Sequence, residues 1–234
     1  MRRISRNPVP PALTTWRQQR QDDPNFGYDL MPANLRTSVL LSLVSEQRGL
    51  CAYTGVRITR MSSHIEHLFP QQHCTVDEQT RYENLAACTP APNSGRLSYG
   101  AHEKDNWPGE AERSMFVTPY SEGCESRFSF NLRGKISATD SADEPAKETI
   151  RQLRLDHPGL TARRKAAIQA SLGLGRTRKL RVDAKVARNS LSRLARQEDE
   201  AAQLDEFSFV LKQAIPKHLE RLEAIRKAKR AKKK

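Results

Sequence analysis

The sequence predicts an α+β fold, with short strands confined to its first 140 residues and helices filling the rest. Three observations carry this. Residues 33–51, "ANLRTSVLLSLVSEQRGLC", set Leu35, Val39, Leu43 and Val44 along one helical face. The segments "SRFSFNL" and "KISA" are short and partly alternating, and Arg133-Gly134 between them suits a hairpin turn. Beyond residue 144, apolar positions recur at helical spacing almost to the end.

Taken in order, residues 1–31 are rich in Pro, Gln and Arg with little periodicity, and read as an N-terminal arm ending near residue 32. In the helix that follows, Asn34 is a candidate N-cap and Gly49 suits its C-terminal stop. "CAYTGVRI" (51–58) is short, apolar and broken at Thr54-Gly55, so it reads as a strand or knuckle. From 62 to 106 regular structure is expected to be scarce. "QQHCTVDEQTRYE" reads as a polar loop, and Pro90 and Pro92 exclude a helix across that point. "MFVTPY" (115–120) reads as a strand ahead of the hairpin. Helices are then expected over 144–155, 159–175, 178–204 and 205–234, the last kinked or broken near Pro216. This divides the chain into an arm (1–32), a mixed domain (33–140) and a helical basic region (141–234) with a Lys-rich tail.

Composition narrows the function. With 37% hydrophobic and 29% charged residues, the core is modest and much of the chain is solvated. No apolar run approaches the roughly 20 residues that cross a bilayer. The start, "MRRISRNPVPPALTTW", lacks the apolar stretch of a secretory leader, so no membrane partner and a cytoplasmic protein are expected. Cys51, Cys74, Cys88 and Cys124 include no Cys-x-x-Cys pair, which argues against a zinc ribbon or a disulfide scaffold and leaves buried thiols as the default. Net charge is +13, and residues 161–234 hold all of the excess, with 21 Lys/Arg against 8 Asp/Glu. Such asymmetry is the footprint of a nucleic-acid-binding segment. A solubilising tail or a dock for an acidic partner would share it.

One stretch carries chemistry: "SHIEHLFPQ" (63–71). Phosphodiester hydrolysis needs a base to take a proton from water, and positive charge to stabilise the phosphate and leaving oxygen. Imidazole suits the first task, and a divalent cation held by a carboxylate suits the second. Glu66-His67 sets both chemistries side by side, and Pro70 favours an exit from the strand. Alone, the dipeptide is common. His64 reads more readily as a packing residue than as a ligand. A zinc set of His73, Cys74 and Cys88 lacks paired spacing. His157 reads as a helix boundary, and His218 has no assigned role.

"EHLFPQ" (66–71) resembles the first signature of HNH (ββα-metal) endonucleases, in many of which it reads Asp-His-Ile-x-Pro. The resemblance implies that His67 is the general base and Glu66 a metal ligand. "YENLAAC" (82–88) is similar to the second signature, whose asparagine pins the loop and orients the base, which gives that role to Asn84. The third signature is an Asn or His further on. Asn93 has the expected spacing, while His102 in "YGAHEK" is intrinsically the stronger ligand, so both stand. Thr54 replaces a cysteine of the structural zinc knuckle, and no knuckle is expected. The resemblance further implies a divalent metal ion, Mg²⁺ or Mn²⁺. Lys104 and Arg96 read equally as DNA phosphate contacts and as solvated surface charges. A narrower resemblance, over most of residues 33–160, is to the PtuB-like HNH subunit of Septu-type and retron-associated anti-phage systems. It implies DNA as substrate, an SMC/ABC-like ATPase subunit as partner and a part in antiviral defence. The different-class alternative is a non-catalytic DNA-binding or ATPase-docking adaptor with a degenerate site.

Overall fold

A computed structural model describes residues 1–20, 22–23, 26–173, 184–200 and 203–231. In chain order its helices and strands are α1 (Pro11–Gln18), α2 (Ala33–Glu46), β1 (His64–His67), α3 (Val76–Thr80), β2 (Leu85–Cys88), α4 (Ala101–Lys104), β3 (Phe128–Phe130), β4 (Ile136–Ala138), α5 (Glu144–Gln152), α6 (Pro158–Ser171), α7 (Ala184–Glu200) and α8 (Ser208–Ala231). Two small antiparallel sheets, β1–β2 and β3–β4, sit among the helices, so the chain is α+β.

The described residues among the first 31 are not a free arm. Met1, Ile4, Leu13, Trp16, Phe26 and Met31 are all buried in the core. Pro11 opens α1, a position where its missing N–H costs nothing. Leu13 and Trp16 form the buried face of α1, but two positions make too short a pattern to give a periodic signal, and the other apolar residues are widely spaced, which is why the segment reads as loop. Arg6 ties it down: Nη1 pairs with Glu46 Oε1 at 3.0 Å, and Nη2 donates to the carbonyls of Glu83 (2.7 Å) and Leu85 (2.8 Å).

Helix α2 buries Leu35, Val39 and Leu43 as the pattern predicts. Its cap differs: Pro32 holds the N-cap position, and Asn34 lies within the first turn. Gly49, at φ +73°, ends the helix by donating its N–H to Val44 O at 2.9 Å. Gln47 then does unusual work for a side chain. Its Nε2 donates to Leu50 O and Ala87 O, both at 2.8 Å, and its Oε1 accepts Ala87 N at 2.7 Å. The amide thus acts as a strand partner for β2. Gln47→Leu is expected to cost about 2–4 kcal/mol, read by urea unfolding, because several buried backbone groups lose their partners at once.

Residues 51–58 form a knuckle rather than a strand, closed by Cys51 N to Val56 O at 2.8 Å and an isolated bridge between Leu50 and Arg57. The polar loop contains α3, started by a capping box in which Glu78 N donates to Thr75 Oγ1 and Thr75 N to Glu78 Oε2. The Thr-x-x-Glu signature was there to be read. "MFVTPY" forms no strand among the described residues: Met115 ends a 3₁₀ segment, and Val117 N donates to Thr149 Oγ1 instead of to a ladder.

The β3–β4 hairpin matches expectation, with Phe128 opposite Ala138 and Phe130 opposite Ile136. Gly134 turns it at φ +77°, where an added Cβ would lie 2.5 Å from Thr161 O on α6. Buried Arg164 locks the two together, giving Nε to Gly134 O and Nη2 to Leu155 O, each at 2.7 Å. Asp143 caps α5, accepting Ala146 N at 3.0 Å, and binds Arg127, whose Nε lies 2.7 Å from Oδ2. Arg127 holds the Asp143 carboxyl below its usual range. A carboxyl depressed in the folded state stabilises above its unfolded value and loses that contribution as pH falls through the folded one. Asp143→Ala is expected to cost about 1–2 kcal/mol at pH 7, and the deficit should shrink when unfolding is measured below about pH 4.

Helices α6, α7 and α8 pack together, and Lys212–Glu198 (2.6 Å) and Arg188–Glu223 (3.9 Å) fix α7 and α8 as antiparallel. Of the two alternatives at Pro216, a break is excluded: α8 continues through it. Only the N–H that would bond to Lys212 O is lost, and burial of Val210, Leu211, Ala214 and Ile215 outweighs it. Parts of the expected helices, residues 174–175, 178–183, 201–202 and 232–234, lie outside the described residues. Among the described residues no helix is long and apolar enough to cross a membrane.

Candidate active site

β1 pairs with the fully buried β2 in a fixed register: His64 with Cys88, Ile65 with Ala87, Glu66 with Ala86 and His67 with Leu85. Strand alternation then sends His64 and Glu66 to one face and Ile65 and His67 to the other. Two neighbouring residues of one motif therefore meet different surroundings.

On its face, His67 is 7% exposed, with its ring 4.6 Å from that of Tyr28 in an edge-on contact. Its Nε2 lies 2.9 Å from Gln79 O. A carbonyl only accepts, so Nε2 carries the proton and Nδ1 holds the lone pair. Burial pushes the imidazole below its ordinary pKa, and the Gln79 carbonyl and Glu66 only partly offset this. His67 is therefore neutral at pH 7, the form a base requires.

Asn84 secures the chain on both sides of this contact. Its Oδ1 accepts Phe69 N at 2.8 Å, while Nδ2 donates to Phe69 O at 3.1 Å and Glu78 O at 3.3 Å. Its own carbonyl accepts Leu68 N at 2.8 Å. The exit from β1 and the end of α3, which presents Gln79 O, are thereby tied to one side chain.

On the opposite face, Glu66 Oε1 takes Lys104 Nζ at 3.1 Å and Tyr53 OH at 3.5 Å, and Oε2 lies 3.5 Å from His64 Nε2. Burial alone would push the Glu66 carboxyl up, but Lys104 and His64 more than offset it and hold Glu66 ionised. Lys104, read from sequence as either a phosphate contact or a solvated surface charge, is instead 2% exposed, with Nζ also donating to Trp107 O at 3.0 Å. Its charge is turned inward onto Glu66. His64 places Nδ1 2.6 Å from Pro90 O. The His102 ring stacks over that of His64 at 6.3 Å and accepts Leu97 N on Nδ1 at 3.0 Å.

The remaining two sequence candidates lie on the loop between. Asn93 is exposed, at φ +64° in a turn closed by Ser94 N to Ala91 O, and makes no hydrogen bond to Glu66, His64 or His102 among the described residues. Arg96 is largely exposed and donates Nη2 to His102 O at 3.0 Å. Beside β1 runs a groove of 510 Å³ whose lining includes Tyr28, Arg36, Arg60, His64 and Pro92. Sequence reasoning missed Tyr53 and the Gln79 carbonyl, neither of which carries a signature. His64, read from sequence as a packing residue more than a ligand, makes hydrogen-bonding contacts to Pro90 O and Glu66, and its i, i+2 spacing on a strand was a usable signal for the second.

Among the described residues no group of three His, Cys, Asp or Glu side chains is arranged to hold a metal ion. The residues fit a smaller role. A hard divalent ion often takes one or two protein ligands and fills its shell with water and substrate phosphate, and Glu66 Oε2 is the carboxylate oxygen that Lys104 leaves open. No protein-family model matches the chain, and no curated protein matches it.

Proposed function

We propose that this chain is a metal-dependent HNH (ββα-metal) DNA endonuclease. The observation that carries the reading is the geometry at the end of β1: His67 with Nε2 held by Gln79 O, Glu66 on the strand's other face paired with Lys104, and the following loop pinned by Asn84. On this reading β1, β2 and α4 form the ββα core, within a nuclease domain spanning 33–140.

Each residue has a task. His67 takes the proton of the attacking water on Nδ1. As the ring gains charge, the bond from Nε2–H to Gln79 O strengthens, which steadies both tautomer and orientation. Asn84 holds the loop so that this carbonyl stays in place. Lys104 keeps Glu66 a carboxylate. When bound at Glu66, Mg²⁺ or Mn²⁺ would supply positive charge to the phosphate and leaving oxygen. Arg36, Arg60 and Arg96 offer cations to the strand outside, and the basic region beyond residue 160 adds salt-sensitive affinity. The resemblance to PtuB-like subunits extends the proposal to an anti-phage effector that works with an SMC/ABC-like ATPase.

A second reading, a DNA-binding or ATPase-docking adaptor, draws on the low exposure of His67 and on the lysine already paired with Glu66. Plasmid cleavage with Mg²⁺ or Mn²⁺, with and without EDTA and with the partner ATPase added, separates the two. Cleavage that needs both the metal and His67 supports the nuclease. DNA binding that weakens steeply with salt, without cutting in any condition, supports the adaptor.

A further inference from the structure

Three imidazoles, His64, His67 and His102, lie on β1 or beside it, and the base chemistry uses only His67. We propose that His64 and Glu66 together form the divalent-cation site, with Asn93 outside it, and that His102 donates a hydrogen bond to the substrate phosphate instead of binding the cation. The role of His102 rests on the endonuclease reading; the cation site does not.

The tautomers separate the two histidines. Pro90 O, 2.6 Å from His64 Nδ1, requires the proton there. Nε2 is then the nitrogen that faces Glu66 Oε2, 3.5 Å away, and it pairs with that oxygen through a proton while no cation is bound. A metal-binding histidine characteristically gives its other ring N–H to a carbonyl or carboxylate in this way. Donors bonded to one first-row ion at roughly 2.0–2.2 Å stand about 3.0–3.5 Å apart when they fill neighbouring positions. The His64–Glu66 gap falls at the upper end of that range. The cation would replace the shared proton between them. Lys104 and Tyr53 occupy the other carboxylate oxygen and leave Oε2 to it.

His102 is arranged the opposite way. Its Nδ1 accepts the N–H of Leu97, so Nε2 carries the proton and can only donate. To ligate a cation it would have to give up that backbone bond. Stacked on His64, its Nε2–H is suited to an oxygen of a phosphate held by the neighbouring cation. Asn93, exposed on its turn, has nothing holding it towards Glu66. One imidazole with one carboxylate also suits Mn²⁺ better than Mg²⁺, which prefers oxygen alone.

The test is Mn²⁺ binding to the full chain by electron paramagnetic resonance, which reads the site without reference to activity. Wild type is expected to bind Mn²⁺ with one imidazole nitrogen coupling in a pulsed experiment. His64→Gln and Glu66→Gln should each weaken binding by about tenfold or more, while Asn93→Ala and His102→Gln stay within about twofold and keep the nitrogen coupling. His102→Gln should instead weaken binding of an uncleavable duplex in the presence of Mn²⁺. The proposal is overturned if wild type binds no Mn²⁺, if its nitrogen coupling is absent or vanishes in His102→Gln, or if His64→Gln binds as wild type does. The wild-type coupling needs no variant, so misfolding of His64→Gln cannot obscure the answer. A His64-dependent cation site in a protein that never cuts DNA would defeat the endonuclease reading alone. Metal-dependent cutting with Mn²⁺ affinity indifferent to His64 would defeat the cation site alone.

Discussion

Replacing His67 with alanine is expected to lower DNA cleavage by about 10³-fold, within the range a positioned general base contributes, while DNA affinity changes by less than about twofold. The reasoning is local. His67 Nδ1 is the basic nitrogen because Gln79 O holds the other, and no second imidazole shares its face of β1. On the endonuclease reading, affinity is assigned elsewhere, to Arg36, Arg60 and the cationic helices. The comparison is made under single-turnover conditions, with circular dichroism and thermal unfolding confirming equal folding, since removing a buried ring also leaves a cavity. Undiminished cutting by His67→Ala would assign the activity to another site or to a contaminant. A matched loss of cutting and binding would make His67 structural.

Lys104→Met is expected to destabilise the fold by about 3–5 kcal/mol, the usual result of stripping one partner from a buried ion pair. Lys104 has 1% of its side chain exposed and Glu66 16%, so water cannot replace the lost ammonium. Converting both residues, in Glu66→Gln with Lys104→Met, removes the uncompensated charge and should recover more than half of the loss. Urea unfolding of the four proteins in this cycle measures the coupling. A single Lys104→Met within about 0.5 kcal/mol of wild type, as for an exposed pair, would mean that the lysine is not the counter-ion of Glu66. The same variant bears on function, because a lysine that contacted DNA directly would change affinity without changing stability.

Much of the architecture was legible. The stripe of Leu35, Val39 and Leu43 lies inward on α2, the Arg133-Gly134 turn closes β3–β4, and Gly49 ends α2. Each is a local signal in which neighbours along the chain meet the same environment. The N-terminal segment defied such reading because its buried residues, Met1, Ile4 and the Leu13–Trp16 pair of α1, are too few and too scattered to form a pattern along the chain. Helix α8 crosses Pro216 because tertiary packing of its apolar face outweighs one lost hydrogen bond.

The candidate site divides in the same way. By itself the sequence determined which chemical groups sit together on the short strand, His64, Glu66 and His67, and that alternation must separate the last from the other two. It also determined that the net excess of positive charge lies beyond residue 160. Only the tertiary structure decided that Lys104 turns inward to Glu66, that Gln79 O holds His67, and that Pro90 O and Leu97 N set opposite tautomers on His64 and His102. The physical reason is that the partners settling these matters are mostly backbone carbonyls and amides. Every residue has them, so no residue type announces which one will arrive.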